Sequence, residues 1–443
     1  MIPGILELTS RTRYGMTSRN VPLYLFRPLN QKLSMCIVGC SKISTTNVLA
    51  LVEVPKWESD SLSRGHLNRI IGNCGDFSAE KEALVYQYST SNWKKDLPYN
   101  YPNFNRPLIE GISFNIDPFG CQDIDDVFTF GDDGYFYITI ADVSEWMKVN
   151  PEIYEISHQK TQTLYDDGKV IRPMIPFQHE CSLIPKKHRL GVSLRFRISN
   201  NIVKDISFQK TQIVNTETYT YNDILMSVYS PELRKISEIL SGKDSLDSHK
   251  WVESLMMFYN IEAAKVLHKR GKGILRVQES PDLDKLERYR KLGVSIEVLA
   301  TKSATYVHAT NPNANHWGLQ THLYTHATSP IRRFVDIINQ FVLKGEEVPD
   351  YDIDYLNERS KELKKYDRDT FFLEQLEVSK IKCISGITLS DHRVWIPDWK
   401  RILTCKNEFP EGTKGTLHFS LDMTQSTWKR RMVCKFKNVG YFD

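Results

Sequence analysis

The chain has 443 residues, too many for one ordinary core, and its 41% hydrophobic and 25% charged residues describe a globular protein of roughly two to four domains. A net charge of +4 is too small to point to a nucleic-acid partner from the chain as a whole. The eight cysteines lack C-x-x-C spacing, the first residues carry no apolar leader core, and no window approaches the roughly 18 apolar residues of a membrane span. Reduced thiols, an intracellular location and no membrane contact are the expectation.

Residues 1–90 contain short apolar runs, "VPLYLF", "MCIVGC" and "NVLALVEV", separated by Asn, Ser, Thr and Gly turns. That pattern predicts a small OB-like β-barrel. The stretch 91–110, rich in Pro, Asn and Tyr, reads as a linker. "GISFNI" then alternates as a strand, and "VFTFGDDGYFYITIADV" reads as a hairpin around its Gly-Asp-Asp-Gly turn. From Lys250 the apolar period becomes helical, with Gly271 as a C-terminal stop, and helices are expected to continue to about Val342. A further long helix covers "YLNERSKELKKYDRDTFFLEQLE". Short β-like runs return after residue 380, where eleven Lys and Arg stand against six Asp and Glu from Ile381 onward. The predicted order is barrel, linker, mixed α/β body, barrel. Small barrels flanking a larger body suit a protein that threads a nucleic-acid strand.

Between the strand and the hairpin lies "DPFGCQDIDD", residues 117–126, with four aspartates in ten positions. Such a cluster strongly disfavours burial unless a cation joins it. An EF-hand fails on spacing: with Asp123 as position 1, the obligatory glycine falls on Phe128. A solvated loop and a hard-cation site that also binds a substrate phosphate both remain open. Downstream, "TSPIRRFVDIIN" predicts a helix with Ser329 as N-cap, Pro330 in the first position, and Ile331, Phe334, Ile338 and Phe341 as the apolar stripe. Arg332 would then sit in the first turn, unfavourable beside free N–H groups unless an anion binds there. His322 and His326 have zinc-like spacing, but residue 323 is leucine where a zincin has its glutamate.

The D-x5-D-x-D-D pattern after a strand, with T-S-P-I-R-R far downstream, resembles the RNB catalytic domain of the ribonuclease II family. "YITIADVSEW", "VIRPMIPFQHECSLIP", "GILRVQESPDLDKLERYRKLG" and "HWGLQTHLYTHATSPIRRF" follow family segments in order. Upstream, Trp57, "RGH" at 64–66, Gly72, Gly75, Asp76 and Glu80 resemble the cold-shock barrel of the eukaryotic exosome nuclease.

The resemblance implies an α+β fold with a cold-shock or OB-like barrel at 1–90, a linker at 91–110, an RNB catalytic domain at 111–378 and an S1-like barrel at 379–443. It implies a monomeric, hydrolytic 3′→5′ exoribonuclease acting on single-stranded RNA with Mg²⁺, or Mn²⁺, and releasing nucleoside 5′-monophosphates. Asp117, Asp123, Asp125 and Asp126 would surround the metal, with Asp117 and Asp126 as the most direct ligands. Asp125 and Arg332 would be catalytic, Arg332 by holding the phosphate. Tyr165, Tyr324, Ser329, Arg332 and Arg333 would contact RNA, Tyr165 by stacking near the 3′ end. The chain departs from the family pattern at Y-D-D-G after Tyr165, at Gln278 and Thr139 in place of histidines, and at Pro281 in place of a second stacking aromatic. A catalytically silent RNA-binding protein of the same fold and a small-nucleotide phosphohydrolase are the rival readings.

Overall fold

The structure is a computed structural model that describes residues 1–58, 61–89, 92–292, 302–378, 383–422 and 424–438. The expected domain boundaries at 90/91 and 378/379 fall wholly or partly outside the described residues. Two compact units emerge, one comprising Met1–Thr90, Asp282–Ala300 and Lys361–Asp443, the other Ser91–Pro281 and Thr301–Ser360.

In the first unit, strands Ile2–Leu6, Leu23–Pro28, Cys36–Gly39, Val48–Glu53 and Ser63–Asn73 close into a barrel. Cys36–Gly39 and Ser63–Asn73 pair parallel and the other pairs antiparallel, the connectivity of an OB fold. Apolar residues of alternating positions, Leu6, Phe26, Val38, Val48, Ala50 and Val52 among them, fill its interior. Helix Phe77–Tyr88 starts where the Asp76 carboxylate accepts from the amides of Ser78 and Ala79. After residue 383 come five antiparallel strands in the order Arg401–Thr404, Arg393–Ile396, Cys383–Ser390, Lys414–Leu421, Met432–Asn438.

The second unit is built on a six-stranded sheet containing Gly111–Ile116, Asp126–Gly131, Phe136–Ala141, His188–Ser199, Ile202–Val214 and Glu217–Tyr219, of which only the last pairs parallel. One face is apolar, with Phe114, Phe128, Ile138, Ile140, Leu194 and Phe196 packed against Trp251, Leu255 and Tyr259 of helix Ser248–Arg270. The other face carries buried hydroxyls in a chain: Thr139 to Ser193 at 2.7 Å and Ser193 to Thr211 at 2.7 Å. Thr139 is therefore satisfied within the sheet. Helix Ser248–Arg270 ends at left-handed Gly271, as its sequence predicts.

Three expectations change. Helices do not run on to Val342, because strands Ile274–Val277 and Thr305–His308 pair between them. Residues 92–107 contain no helix or strand but do not hang free. Trp93 Nε1 donates to the Pro173 carbonyl at 2.9 Å, and Tyr99 packs edge-on to Phe177 and Trp146. Finally, the helix after "TSPIRR" begins at Phe334, with Arg333, not Ser329, at its N-cap. Arg333 is extended and bridges to Gln162, while Thr163 N–H donates to the Arg332 carbonyl and Phe334 N–H to that of Thr161. Backbone pairing with a distant segment outcompetes the local helix signal. All ten residues of Phe334–Leu343 are buried, so there is no single apolar stripe.

Candidate active site

The four aspartates follow from the sheet. Asp117 ends strand Gly111–Ile116, with its N–H on the Tyr219 carbonyl at 3.0 Å, and Asp126 opens the next strand, opposite Ile140. The loop between them is held from outside. Ser182 accepts from the Ile124 amide and donates to the Gln122 carbonyl, and Leu183 N–H donates to the Ile124 carbonyl. The "CSL" segment is thus the clamp of the aspartate loop.

Each carboxylate has a different environment. Asp117 accepts from Asn115 Nδ2 at 2.8 Å, and Asn115 Oδ1 in turn accepts from Asn215 and Thr218. Burial raises the Asp117 pKa, the Asn115 hydrogen bond counters it, and the charge of Asp123 raises it further. Asp123 accepts from the Tyr165 hydroxyl. Asp125 is 6% exposed and accepts from the Ile331 amide at 3.0 Å. Burial pushes it up to about 8 despite the opposing pull of Arg332 and that amide. Asp126 lies well above the ordinary carboxylate range, first through burial and then through Asp117 and Asp125.

The Ile331 hydrogen bond joins the two distant motifs. Residues 329–332 form a turn, Arg332 N–H to Ser329 carbonyl at 3.3 Å, that sets Arg332 beside Asp125, Nε to Oδ2 at 3.8 Å. The Arg332 side chain is 44% exposed, and its Nη2 donates to Ser329 Oγ at 2.9 Å. Arg333 points inward and is bidentate on fully buried Asp336, which also accepts from the Ser329 amide at 2.7 Å. Tyr324 is buried, within 3.3 Å of Asn260 Nδ2, and packs edge-on to His316 and His326. Of the residues expected on RNA, Tyr165, Arg332 and Arg333 keep accessible surface, with the Arg333 guanidinium committed to Asp336, whereas Tyr324 and Ser329 are buried. His326 is half-buried with its Nδ1 2.9 Å from the Tyr306 hydroxyl, and His322 bonds to Asn315.

Sequence reading missed Asn115, Asn215 and Tyr221. The Tyr221 ring stacks on His249, centroids 3.7 Å apart. Burial, then the charges of Asp126 and Asp117, push its hydroxyl up to about 12, so it borders the carboxylates. Asn115 alternates with Phe114 and Ile116, a position that reads as solvent-facing but is fully buried. An asparagine two residues before the first aspartate was the available signal.

Among the described residues no group of three or more His, Cys, Asp or Glu side chains is arranged to hold a metal ion. The donor set nevertheless fits a hard divalent cation. Mg²⁺ keeps several waters and binds through one or two carboxylates plus substrate phosphate. Asp117 and Asp126 are oxygen donors with too little positive charge around them.

A model of the RNB domain matches residues 106–235 and 229–346. The chain belongs to the RNB family. A model of the Dis3-like cold-shock domain 2 (CSD2) matches residues 23–89, which hold four of the five barrel strands and the helix after them. Among curated relatives, the probable exosome complex exonuclease RRP44 of Caenorhabditis elegans is 22% identical over 449 residues, spanning 76% of this chain and 46% of its own length. Ribonuclease R of Aquifex aeolicus is 25% identical over 453 residues, spanning 78% and 64%. The RNB chain described here therefore spans less than two thirds of these relatives. Among solved structures, apo RNase R of Mycoplasma genitalium has a TM-score of 0.74 at 17% identity, covering 98% of this chain and 90% of that one. Yeast Ssd1, a pseudonuclease, has a TM-score of 0.67 at 14% identity, covering 94% and 67%. These likenesses establish the fold. Among the described residues no helix is long and apolar enough to cross a membrane.

Proposed function

We propose that the protein is a hydrolytic 3′→5′ exoribonuclease that degrades single-stranded RNA to nucleoside 5′-monophosphates with Mg²⁺, or Mn²⁺, as cofactor. The observation that carries this reading is the Asp125–Ile331–Arg332 junction, which joins the aspartate loop to a half-exposed guanidinium within an RNB fold. The exonuclease name of the Caenorhabditis elegans relative, and structures of Mycoplasma genitalium RNase R in complex with ribose-methylated single-stranded RNA and with double-stranded RNA, support RNA as the substrate class.

Asp117 and Asp126 would hold the cation, with Asp123 and Asp125 completing its surroundings. Bound there, a divalent ion supplies a water activated for attack and neutralises charge on the phosphate. Arg332 reaches toward a non-bridging phosphate oxygen, where added negative charge in the transition state makes the contact most useful. Ser329 and the Arg333–Asp336 pair fix the turn that aims Arg332, and Tyr324 accepts from Asn260, which in turn accepts from the Ala327 amide just before that turn. Tyr165 orients Asp123 through its hydroxyl and offers its ring to the RNA 3′ end. The 2′-hydroxyl would supply preference for RNA over DNA. The monomer acts from within the cell in this reading, and the C-terminal strands serve as an S1-like RNA-binding barrel.

Ssd1 supports one alternative, an RNB fold that binds RNA without cutting it. All four aspartates and Arg332 are present here, which favours the enzyme. The test is a time course on 5′-labelled single-stranded RNA with Mg²⁺, using wild type, Asp125→Asn and an EDTA control. The expected result is a shrinking ladder for wild type alone, slowed at least about 1,000-fold by the substitution while RNA binding survives. Intact but retained RNA would establish the silent binder.

A further inference from the structure

Phe119 is 96% exposed, a large aromatic ring that touches almost nothing of its own protein. A lone exposed apolar side chain is ordinary on a protein surface. Two features set this one apart. It stands two residues after Asp117 and four before Asp123, on the loop between the proposed metal ligands. Its position is also fixed. Cys121 N–H donates to the Pro118 carbonyl at 3.1 Å, and Gly120 has φ of +81°, so Phe119 and Gly120 are the central pair of a type II turn. Both loop ends are anchored, at Asp117 by Tyr219 and at Ile124 by Ser182. The ring is therefore exposed on a rigid apex.

Reach decides what can meet it. Two residues of chain span at most about 7 Å, which is within one nucleotide of a phosphate held at Asp117. Tyr165 has its hydroxyl committed to Asp123, and Tyr221 has one face covered by His249. Phe119 leaves both faces open. Every nucleobase has a π-face, so such a ring would grip RNA without regard to sequence, as a nuclease of general RNA requires.

We propose that Phe119 is a base-stacking residue, its ring receiving the nucleobase of the nucleotide bound at the aspartate loop. The proposal rests on the exoribonuclease reading for the identity of the strand but concerns binding alone. It is tested in the Asp125→Asn background with Mg²⁺, so that RNA stays intact. Affinity is measured by fluorescence anisotropy for a labelled single-stranded oligoadenylate and for the same oligonucleotide with abasic 3′-terminal nucleotides.

Phe119→Ala is expected to weaken binding of the intact oligonucleotide by about fivefold or more, and Phe119→Trp to retain it. On the abasic oligonucleotide the parent and Phe119→Ala should bind alike. Equal affinity of parent and Phe119→Ala for intact RNA, or an equal loss on both oligonucleotides, overturns the proposal. The hydrolysis time course of wild type is read separately. Uncut RNA with a base-dependent Phe119 effect would sink the nuclease reading and leave stacking in place. Cut RNA with no Phe119 effect would do the reverse.

Discussion

Two buried carboxylates at neighbouring sheet ends, Asp125 and Asp142, are pushed in opposite directions. Asp142 follows strand Phe136–Ala141 and is 1% exposed. Burial alone would raise its pKa, but Lys344 at 3.1 Å and Arg106 at 2.8 Å bring it down to about 2. Lys344, fully buried, also bonds Glu145 and Glu346, so the protein supplies both signs of charge. Asp125 is equally enclosed, yet its nearest cation is 3.8 Å away and half exposed, and its pKa rises to about 8. Where a carboxylate serves the fold, the chain encodes its counter-charge. At the aspartate loop the chain supplies less counter-charge, which is what the proposed cation and phosphate site would require.

The largest expected effect breaks the satisfied half. Lys344→Met removes the buried cation and leaves Asp142, Glu145 and Glu346 crowded, at a cost of about 3–5 kcal/mol. Asp125→Asn removes a carboxylate that the apo protein tolerates poorly, and is expected to be neutral or stabilising without metal. Denaturant titration followed by hydrogen exchange in the 91–281 and 301–360 unit measures both. Equal destabilisation by the two substitutions would erase the contrast.

Acidity sharpens the comparison through opposite limbs. Asp142 has a depressed folded-state pKa, so its stabilisation is present above about 4 and is lost as pH falls toward about 2. Its contribution is about 2 kcal/mol from a shift of that size. Asp125 has a raised folded-state pKa, so its contribution is complete below about 4 and is lost as pH rises through about 8. Metal-free protein should therefore lose stability as pH rises from about 4 to about 8, and Asp125→Asn should flatten that limb alone. Melting curves across pH in EDTA decide it, and an unchanged fall between about pH 4 and about pH 8 in the variant would contradict the assignment.

The same contrast explains what was legible in the sequence. The aspartate turn, the GDDG hairpin, the first barrel and the Gly271 stop are local patterns, and local patterns survive in one dimension. The start of helix Phe334–Leu343 was misplaced because its competitor, pairing of Arg333 with Gln162, involves a distant segment. Asn115 and Asn215 went unread for a related reason. Alternation marks a polar face but does not say whether water or a buried network lies behind it. Gln278, a departure from the family's histidine, accepts from the Gly318 amide and donates to the Lys302 carbonyl, which no spacing rule would anticipate.

The smallest effect concerns Asp123, which is satisfied by neither a buried cation nor a bare cluster but by the neutral Tyr165 hydroxyl. Burial and then Asp123 raise that hydroxyl's pKa, so it remains a donor throughout the working range. Tyr165→Phe deletes the donor and keeps the ring, whereas Tyr165→Ala deletes both. If the hydroxyl only orients Asp123, one lost hydrogen bond should slow hydrolysis by less than about tenfold, because bound metal can take over the carboxylate's lone pairs. If the ring also stacks at the 3′ end, Tyr165→Ala should in addition change the length of the limit product. Gel-resolved product lengths for both variants separate the roles. A limit product unchanged in Tyr165→Ala would restrict Tyr165 to positioning Asp123 and leave Phe119 as the stacking aromatic of the loop.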